Sequence, residues 1–216
     1  ARVFCDEYFD IPFIGIPGTI DNDIYGTDYT IGYDTALKTV VEAVDKIRDT
    51  AGSHNRLFFI EVMGRDAGFI ALHSGIASGA EAILIPEVHG QVDNLKEHLH
   101  KDFKRTKSSN IIIVAEGDEE GGAFAIADRV KEDFKDYDVR VSVLGHIQRG
   151  GTPSAYDRVS ASKLGYEAVE ALMDDQKSIM VGFHNSELDH IPFRKVIKLK
   201  KKVDPESMQM VEILSV

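Results

Sequence analysis

The stretch "GIPGTIDND", Gly15 to Asp23, decides how this chain is read. It follows the apolar run Ile11 to Ile14 and gathers a proline, two glycines, a threonine, an amide and two carboxylates into nine positions. An apolar run that empties into a polar, glycine-bearing loop has the form of a buried strand carrying functional groups at its carboxyl end. In open α/β sheets that is where ligands bind.

The same form recurs along the chain. Phe13 to Ile16, Leu57 to Val62, Ala82 to Ile85, Ile111 to Ala115, Val139 to Leu144 and Ile179 to Phe183 are short apolar runs bounded by Gly, Pro or Asn. They read as strands covered on both faces. Between them, Leu37, Val40, Val41, Val44 and Ile47 repeat at helical spacing up to a stop at Ala51-Gly52, and Ala155 to Met173 reads as a second helix with Pro153 suited to its first turn. Strand and helix in alternation imply parallel pairing through right-handed crossovers. The expected class is α/β, with three-layer, doubly wound, mostly parallel sheets.

Composition narrows the function. With 43% hydrophobic residues in 216 positions the chain can bury a core, and no apolar run reaches the ~20 residues that span a bilayer. The start "ARVFCDEYFD" lacks a signal-peptide pattern, so a cytoplasmic location without membrane attachment is expected. The single Cys5 excludes an internal disulfide framework and reads as a small buried hydrophobe. A formal charge of −11 argues against nucleic acid, so any anionic ligand must be held by local arginines. None of the eight histidines forms an H-E-x-x-H pattern.

Four strand ends carry the chemistry. In the first, Gly18 permits close backbone approach, Thr19 offers a hydroxyl, and Asp21 and Asp23 point the same way if the loop stays extended. The second and third, "EVMGRDAG" (61–68) and "GHIQRGGTPSAYDR" (145–158), combine glycines beside which a bound group can approach with arginines that grip phosphate through a planar fork. The fourth, "VAEG", ends on Glu116, a carboxylate able to accept hydrogen bonds from sugar hydroxyls. This inventory has no Ser-His-Asp set and no nucleophilic cysteine. It suits binding a phosphorylated polyol and removing a proton from its hydroxyl.

"PGTIDNDIYGTDYTIGYDTA", "EVMGRDAG" and "LGHIQRGGTPSAYDR", in this order and spacing, closely resemble the 6-phosphofructokinase family, and the resemblance runs over nearly the whole chain. It implies transfer of the γ-phosphoryl group of ATP, with Mg2+, to the 1-hydroxyl of fructose 6-phosphate. By that resemblance Asp21 is the general base, Thr19 and Asp23 arrange phosphates, magnesium and hydroxyl, and Arg65 meets the transferring group. Met63, Gly64, Arg65, Glu116, His146 and Arg149 contact fructose 6-phosphate. Arg56 and Arg140 reach a substrate bound mainly by a neighbouring subunit, so a homo-oligomer, tetrameric in the full-length enzyme, is implied. Arg48, Gly79, Ala80, Glu81, Arg105 and Lys107 correspond to an effector site for ADP or phosphoenolpyruvate.

The departures from the family pattern set further expectations. Its glycine-rich nucleotide loop and its Gly-Gly-Asp-Gly segment do not appear in these 216 residues, and the chain opens on Ala1. It is expected to be the C-terminal two thirds of the enzyme, inactive alone and prone to self-association through apolar surface around Ile11 to Ile16. Residues 1–32 and 148–198 are expected to be the remainder of an ATP/catalytic domain, with 33–147 and 199–216 forming the fructose 6-phosphate/effector domain. Two rivals stand beside this reading. A pyrophosphate-dependent phosphofructokinase commonly has lysine where this chain has Gly18, and a non-catalytic sugar-phosphate-binding module would lack the two aspartates.

Overall fold

A computed structural model of the chain describes residues 11–50, 56–102, 109–135 and 137–214. Cys5, the Ala51-Gly52 stop, Arg105 and Lys107 lie outside the described residues. The chain divides into two compact units, one of Ala1–Thr35 with Thr152–Lys202, the other of Ala36–Gly151 with Val203–Val216.

The first unit is built on a three-stranded sheet, ordered β1 (Ile14–Gly15), β6 (Ile179–His184), β7 (Glu187–Pro192). β1 runs parallel to β6, and β6 turns back into β7 through Asn185 and Ser186, both at positive φ (51° and 66°). That double left-handed turn matches the twist of a two-residue hairpin, and asparagine tolerates it well. The helix α5 (Ala155–Met173) packs Leu164 and Ala168 against Val181 and Phe183, with Ile14 and Ile31 at the margin. Its limits coincide with those expected. Its cap does not: Ser154, whose hydroxyl accepts from the Asp157 N–H, is the N-cap, so Pro153 lies outside the first turn.

One helix residue reaches back to the start of another. Asp157 is 3% exposed, and its carboxylate accepts the backbone N–H groups of Gly32 (2.8 Å) and Thr35 (2.9 Å) and the Thr35 hydroxyl. It thereby caps the amino end of α1 (Tyr33–Thr50), where orphan N–H groups favour an anion. α6 (Phe193–Lys198) closes the unit, stacking Phe193 on Phe13 at a ring separation of 5.2 Å. Ile11 and Ile16 are 51% and 43% exposed.

The second unit holds a four-stranded, all-parallel sheet ordered β3 (Ala82–Leu84), β4 (Ser109–Ala115), β2 (Arg56–Val62), β5 (Asp138–Val143). Side chains alternate between its faces. On one face Leu57, Phe59, Ile112 and Val114 pack with Leu95 and Leu99 of α3 (Gln91–Asp102) and with Ile126 and Val130 of α4 (Ala123–Asp133). On the other, Gly75 of α2 (Phe69–Ser78) lies so close to Ile83 that a Cβ there would stand 2.3 Å from its Cδ1. α7 (Pro205–Leu214) packs against α2 and β3. Helices on both faces give the doubly wound α/β class.

One strand departs from the expected burial. β5 alternates exposed and half-buried positions because it pairs only with β2 and forms the sheet edge. There Arg140 and Ser142 separate the valines, and a strand covered on both faces would not tolerate them.

Candidate functional site

In the first unit the Thr19–Asp23 loop is organised by the amide between its aspartates. Asn22 is 2% exposed, accepts the Thr30 N–H on Oδ1 (3.0 Å) and donates from Nδ2 to the Asp28 carbonyl (3.1 Å). The Thr30 hydroxyl donates in turn to the Thr19 carbonyl (2.6 Å). Thr19 then holds the first carboxylate: its hydroxyl donates to Asp21 Oδ2 (3.3 Å) and accepts the Asp21 N–H (3.2 Å). Burial pushes the neighbouring Tyr33 hydroxyl well above its ordinary value.

The extended loop that would align Asp21 with Asp23 is not what forms. Asn22 stands in the left-handed region at φ 54°, which breaks the period-two alternation. Asp21 is half-buried and Asp23 is exposed. Gly18 is exposed as well, and a Cβ there would meet nothing within 4 Å.

In the second unit three loops leave the carboxyl ends of neighbouring strands: Met63–Arg65 after β2, Glu116 after β4, and the 3-10 turn Gly145–Arg149 after β5. Gly64 has φ 150° and Arg65 has φ 56°, and both N–H groups point at Glu116 Oε1, at 3.4 Å and 2.8 Å. Glu116 therefore braces the arginine loop with one of its oxygens. The glycine at 64 is required by the loop itself, because a Cβ would stand 2.4 Å from the Ala67 carbonyl oxygen. Gly117 is required likewise, its Cβ position lying 1.9 Å from the Arg65 carbonyl oxygen.

Gln148 joins two of these loops. It is 1% exposed, accepts the Met63 N–H on Oε1 (3.2 Å) and donates from Nε2 to the Gly145 carbonyl (3.1 Å). Main chains are thus fixed while side chains stay uncommitted: among the described residues Arg65, His146 and Arg149 have no side-chain hydrogen bond or ion pair. Glu61, a carboxylate inside the apolar strand β2, accepts the Ala123 N–H at the start of α4 (2.7 Å).

Arg56 and Arg140 lie elsewhere, in the amino-terminal halves of β2 and β5. Both engage Asp138, Arg140 with two contacts of 3.0 Å and Arg56 at 3.6 Å, and Arg56 also donates to the Thr50 carbonyl. Of the residues expected to hold an effector, Arg48 donates to the carbonyls of Ser78 (2.7 Å) and Gly79 (3.0 Å), where Gly79 ends α2 in the left-handed conformation. Ala80 is buried, and Glu81 accepts the Ile111 N–H (2.6 Å).

The residues missed from sequence are Asn22, Gln148, Asp157 and Glu61. Glu61 had a visible signal, a charge inside "LFFIEV". The other three had none.

The Phosphofructokinase family (PFK) matches residues 1–172. The chain belongs to the phosphofructokinase family. This phosphofructokinase chain is 56% identical over all 216 residues to the ATP-dependent 6-phosphofructokinase 2 of Bacteroides thetaiotaomicron, covering 66% of that protein. It is 51% identical over 205 residues to the ATP-dependent 6-phosphofructokinase of Listeria welshimeri, covering 95% of this chain and 63% of that one. The chain thus spans just under two thirds of the length of these curated relatives. Its fold matches the phosphofructokinase structure from Saccharomyces cerevisiae with a TM-score of 0.81 at 34% identity, over 94% of this chain and 27% of that one.

Proposed function

We propose that this chain serves an ATP-dependent 6-phosphofructokinase, making fructose 1,6-bisphosphate and ADP from fructose 6-phosphate and ATP. One observation carries the reading: Arg65, His146 and Arg149 stand uncommitted on braced loops at the carboxyl ends of parallel strands. Guanidinium forks held ready in this way match a phosphate-bearing ligand. Met63, Gly64 and Glu116 complete the sugar-phosphate contacts, with Glu116 offering the oxygen it does not spend on the Arg65 loop.

In the proposed reaction Asp21 removes the proton of the sugar 1-hydroxyl, and the Thr19 hydroxyl, 3.3 Å from Asp21 Oδ2, orients that carboxylate. The freed oxygen bonds to the γ-phosphorus as the bond to the β–γ bridging oxygen breaks, and that oxygen leaves on ADP. Arg65 meets the charge on the transferring group. Among the described residues no three His, Cys, Asp or Glu side chains group to hold a metal ion. Asp23 would be the carboxylate neighbour of a Mg2+ carried on the phosphates, where the ion would supply charge neutralisation.

Gly18 favours ATP over pyrophosphate as donor. Packing does not demand a glycine there, since its Cβ position is open, so a nucleotide-filling lysine would fit and is not used. Arg56 and Arg140, away from the uncommitted set, are assigned to a substrate held mainly by a neighbouring subunit of a homo-oligomer, and Arg48, Gly79, Ala80, Glu81, Arg105 and Lys107 to an ADP or phosphoenolpyruvate effector. Among the described residues no helix is long and apolar enough to cross a membrane, and a cytoplasmic location is assigned on the family reading. The test is product analysis of the full gene product with ATP or pyrophosphate against a panel of hexose phosphates. Preference for ATP and fructose 6-phosphate is expected. Preference for another sugar or for pyrophosphate overturns the assignment.

A further inference from the structure

A cavity of about 720 Å³ opens in the first unit between the Tyr25–Asp28 loop, the β6–β7 hairpin, α6 and the segment that follows it. Its size falls in the range of small-molecule sites, ~300–1,000 Å³. None of the residues to which the family resemblance gives a site role lines it.

The lining is cationic in a chain that is strongly anionic. Lys195, Lys200, Lys201, Lys202, His184 and His190 border the cavity, against the carboxylates of Asp28 and Asp189. The acidic groups are already engaged: Asp28 Oδ2 accepts the Ser186 N–H (3.1 Å) and Asp189 Oδ1 accepts the His190 N–H (2.7 Å). His190 is likewise committed, its Nε2 lying 2.8 Å from Glu167 Oε1. Lys195, Lys200, Lys202 and His184 have no side-chain hydrogen bond or ion pair among the described residues. Three unpartnered ammonium groups beside one cavity repel one another, and an anion between them removes that repulsion.

The geometry points to a second anion site in this cavity, one that takes a small phosphate-bearing ligand by way of Lys195, Lys200 and Lys202. Tyr25, Ile191, Pro192 and Leu199 supply an apolar wall, which leaves room for an organic body behind the phosphate. Lys201 tethers the site to the loop of the first unit. Its Nζ donates to the Asp28 carbonyl (2.7 Å), the same oxygen that receives the Asn22 amide. Burial holds Lys201 down to about 8, opposed by the carboxylates of Asp28 and Asp23, and a further anion nearby would favour its charged form. The site is independent of the phosphoryl-transfer reading.

Equilibrium dialysis of the full gene product with labelled inorganic phosphate, and separately with labelled glycerol phosphate, tests this. The double variant Lys195→Ala/Lys202→Ala should bind both at least about tenfold more weakly, as expected for losing charge-assisted contacts to phosphate. Both proteins carry Arg149→Ala, which weakens the sugar-phosphate clamp, so that the cavity is read by itself. Glycerol phosphate bound more tightly than phosphate identifies an ester as the ligand, and the reverse identifies the free ion. A double variant that binds as its Arg149→Ala parent overturns the site. A measurement without variants runs beside it: saturating phosphate should slow acetylation of Lys195, Lys200 and Lys202 relative to exposed Lys163 on α5. Equal rates with and without phosphate overturn the proposal.

Discussion

The Thr19–Asp23 loop and the loops after β2, β4 and β5 hold their polar groups in opposite ways. In the first, the proposed catalytic group is itself held: the Thr19 hydroxyl sits on the Asp21 side chain, while buried Asn22 ties the loop to the main chain of Asp28 and Thr30. In the second, side chains fix main chain: Glu116 and Gln148 bind backbone N–H groups and leave Arg65, His146 and Arg149 unengaged. The contrast follows from the chemistry assigned to each. A proton acceptor must present one oxygen in a set direction, whereas a phosphate clamp must keep its donors free until ligand arrives. Arg56 and Arg140, already on Asp138, show what a committed guanidinium looks like in the same fold.

The largest effect should come from the first loop. In the full enzyme, Asp21→Asn is expected to lower kcat by ~10²–10⁴, with little change in KM for either substrate. Steady-state kinetics would read this directly. A loss under about tenfold would place the base elsewhere and break the comparison.

Next come the clamps. Arg149→Ala should raise KM for fructose 6-phosphate by ~10–100-fold and leave KM for ATP nearly unchanged, since it removes a charge-assisted contact to one substrate. Arg140→Ala should shift the same constant in the same direction but less, because Asp138 competes for that guanidinium. Equal effects of both variants would remove the distinction between committed and uncommitted arginines. Equal loss for both substrates would assign the arginines to folding or assembly.

How far these two regions were legible in sequence differs for physical reasons. The limits of Ala155 to Met173 were readable although Val159, Tyr166 and Val169 are exposed and Asp157 and Ser160 are buried, and the apolar cores of β2 and β4 were readable because apolar runs and burial agree there. β7 was not, since Glu187–Pro192 mixes charge with one buried isoleucine and pairs on one side only. The charged site residues stood out by type. The amides did not, because Asn22 and Gln148 matter through the backbone groups that folding brings to them, from Thr30 in one case and from Met63, 85 positions away, in the other. Asp157 is similar: its partners Gly32 and Thr35 come from more than a hundred residues upstream.

That asymmetry gives a smaller prediction. Asn22→Ala should destabilise the protein by about 1–3 kcal/mol, the cost of leaving the buried Thr30 N–H unpaired, and adds strain at a positive φ. It should also lower kcat with Asp21 intact. Gln148→Leu, by contrast, should act mainly on KM for the sugar phosphate, because it loosens the Met63 loop and the His146–Arg149 turn together. Chemical denaturation alongside kinetics separates the two outcomes. If both variants change only stability, these amides support the fold rather than the site.

The smallest effect concerns Lys201, beside the first loop. Burial lowers it from an ordinary value near 10.5 to about 8, although Asp28 and Asp23 pull it upward. Between those values the folded protein binds fewer protons at this side chain than the unfolded chain does, so stability from this group rises with pH and is least below about 8. Lys201 keeps partial contact with water, so the rise should be about 1 kcal/mol and not the ~3 kcal/mol that the full shift would give. Lys201→Met abolishes the titration, and loss of the hydrogen bond to the Asp28 carbonyl adds an offset that does not change with pH. Denaturation midpoints of both proteins in phosphate-free buffer, from about pH 7.5 to 10, should therefore diverge in favour of the wild type as pH rises. Parallel curves would mean that Lys201 stays charged and solvated beside the loop carrying Asp21.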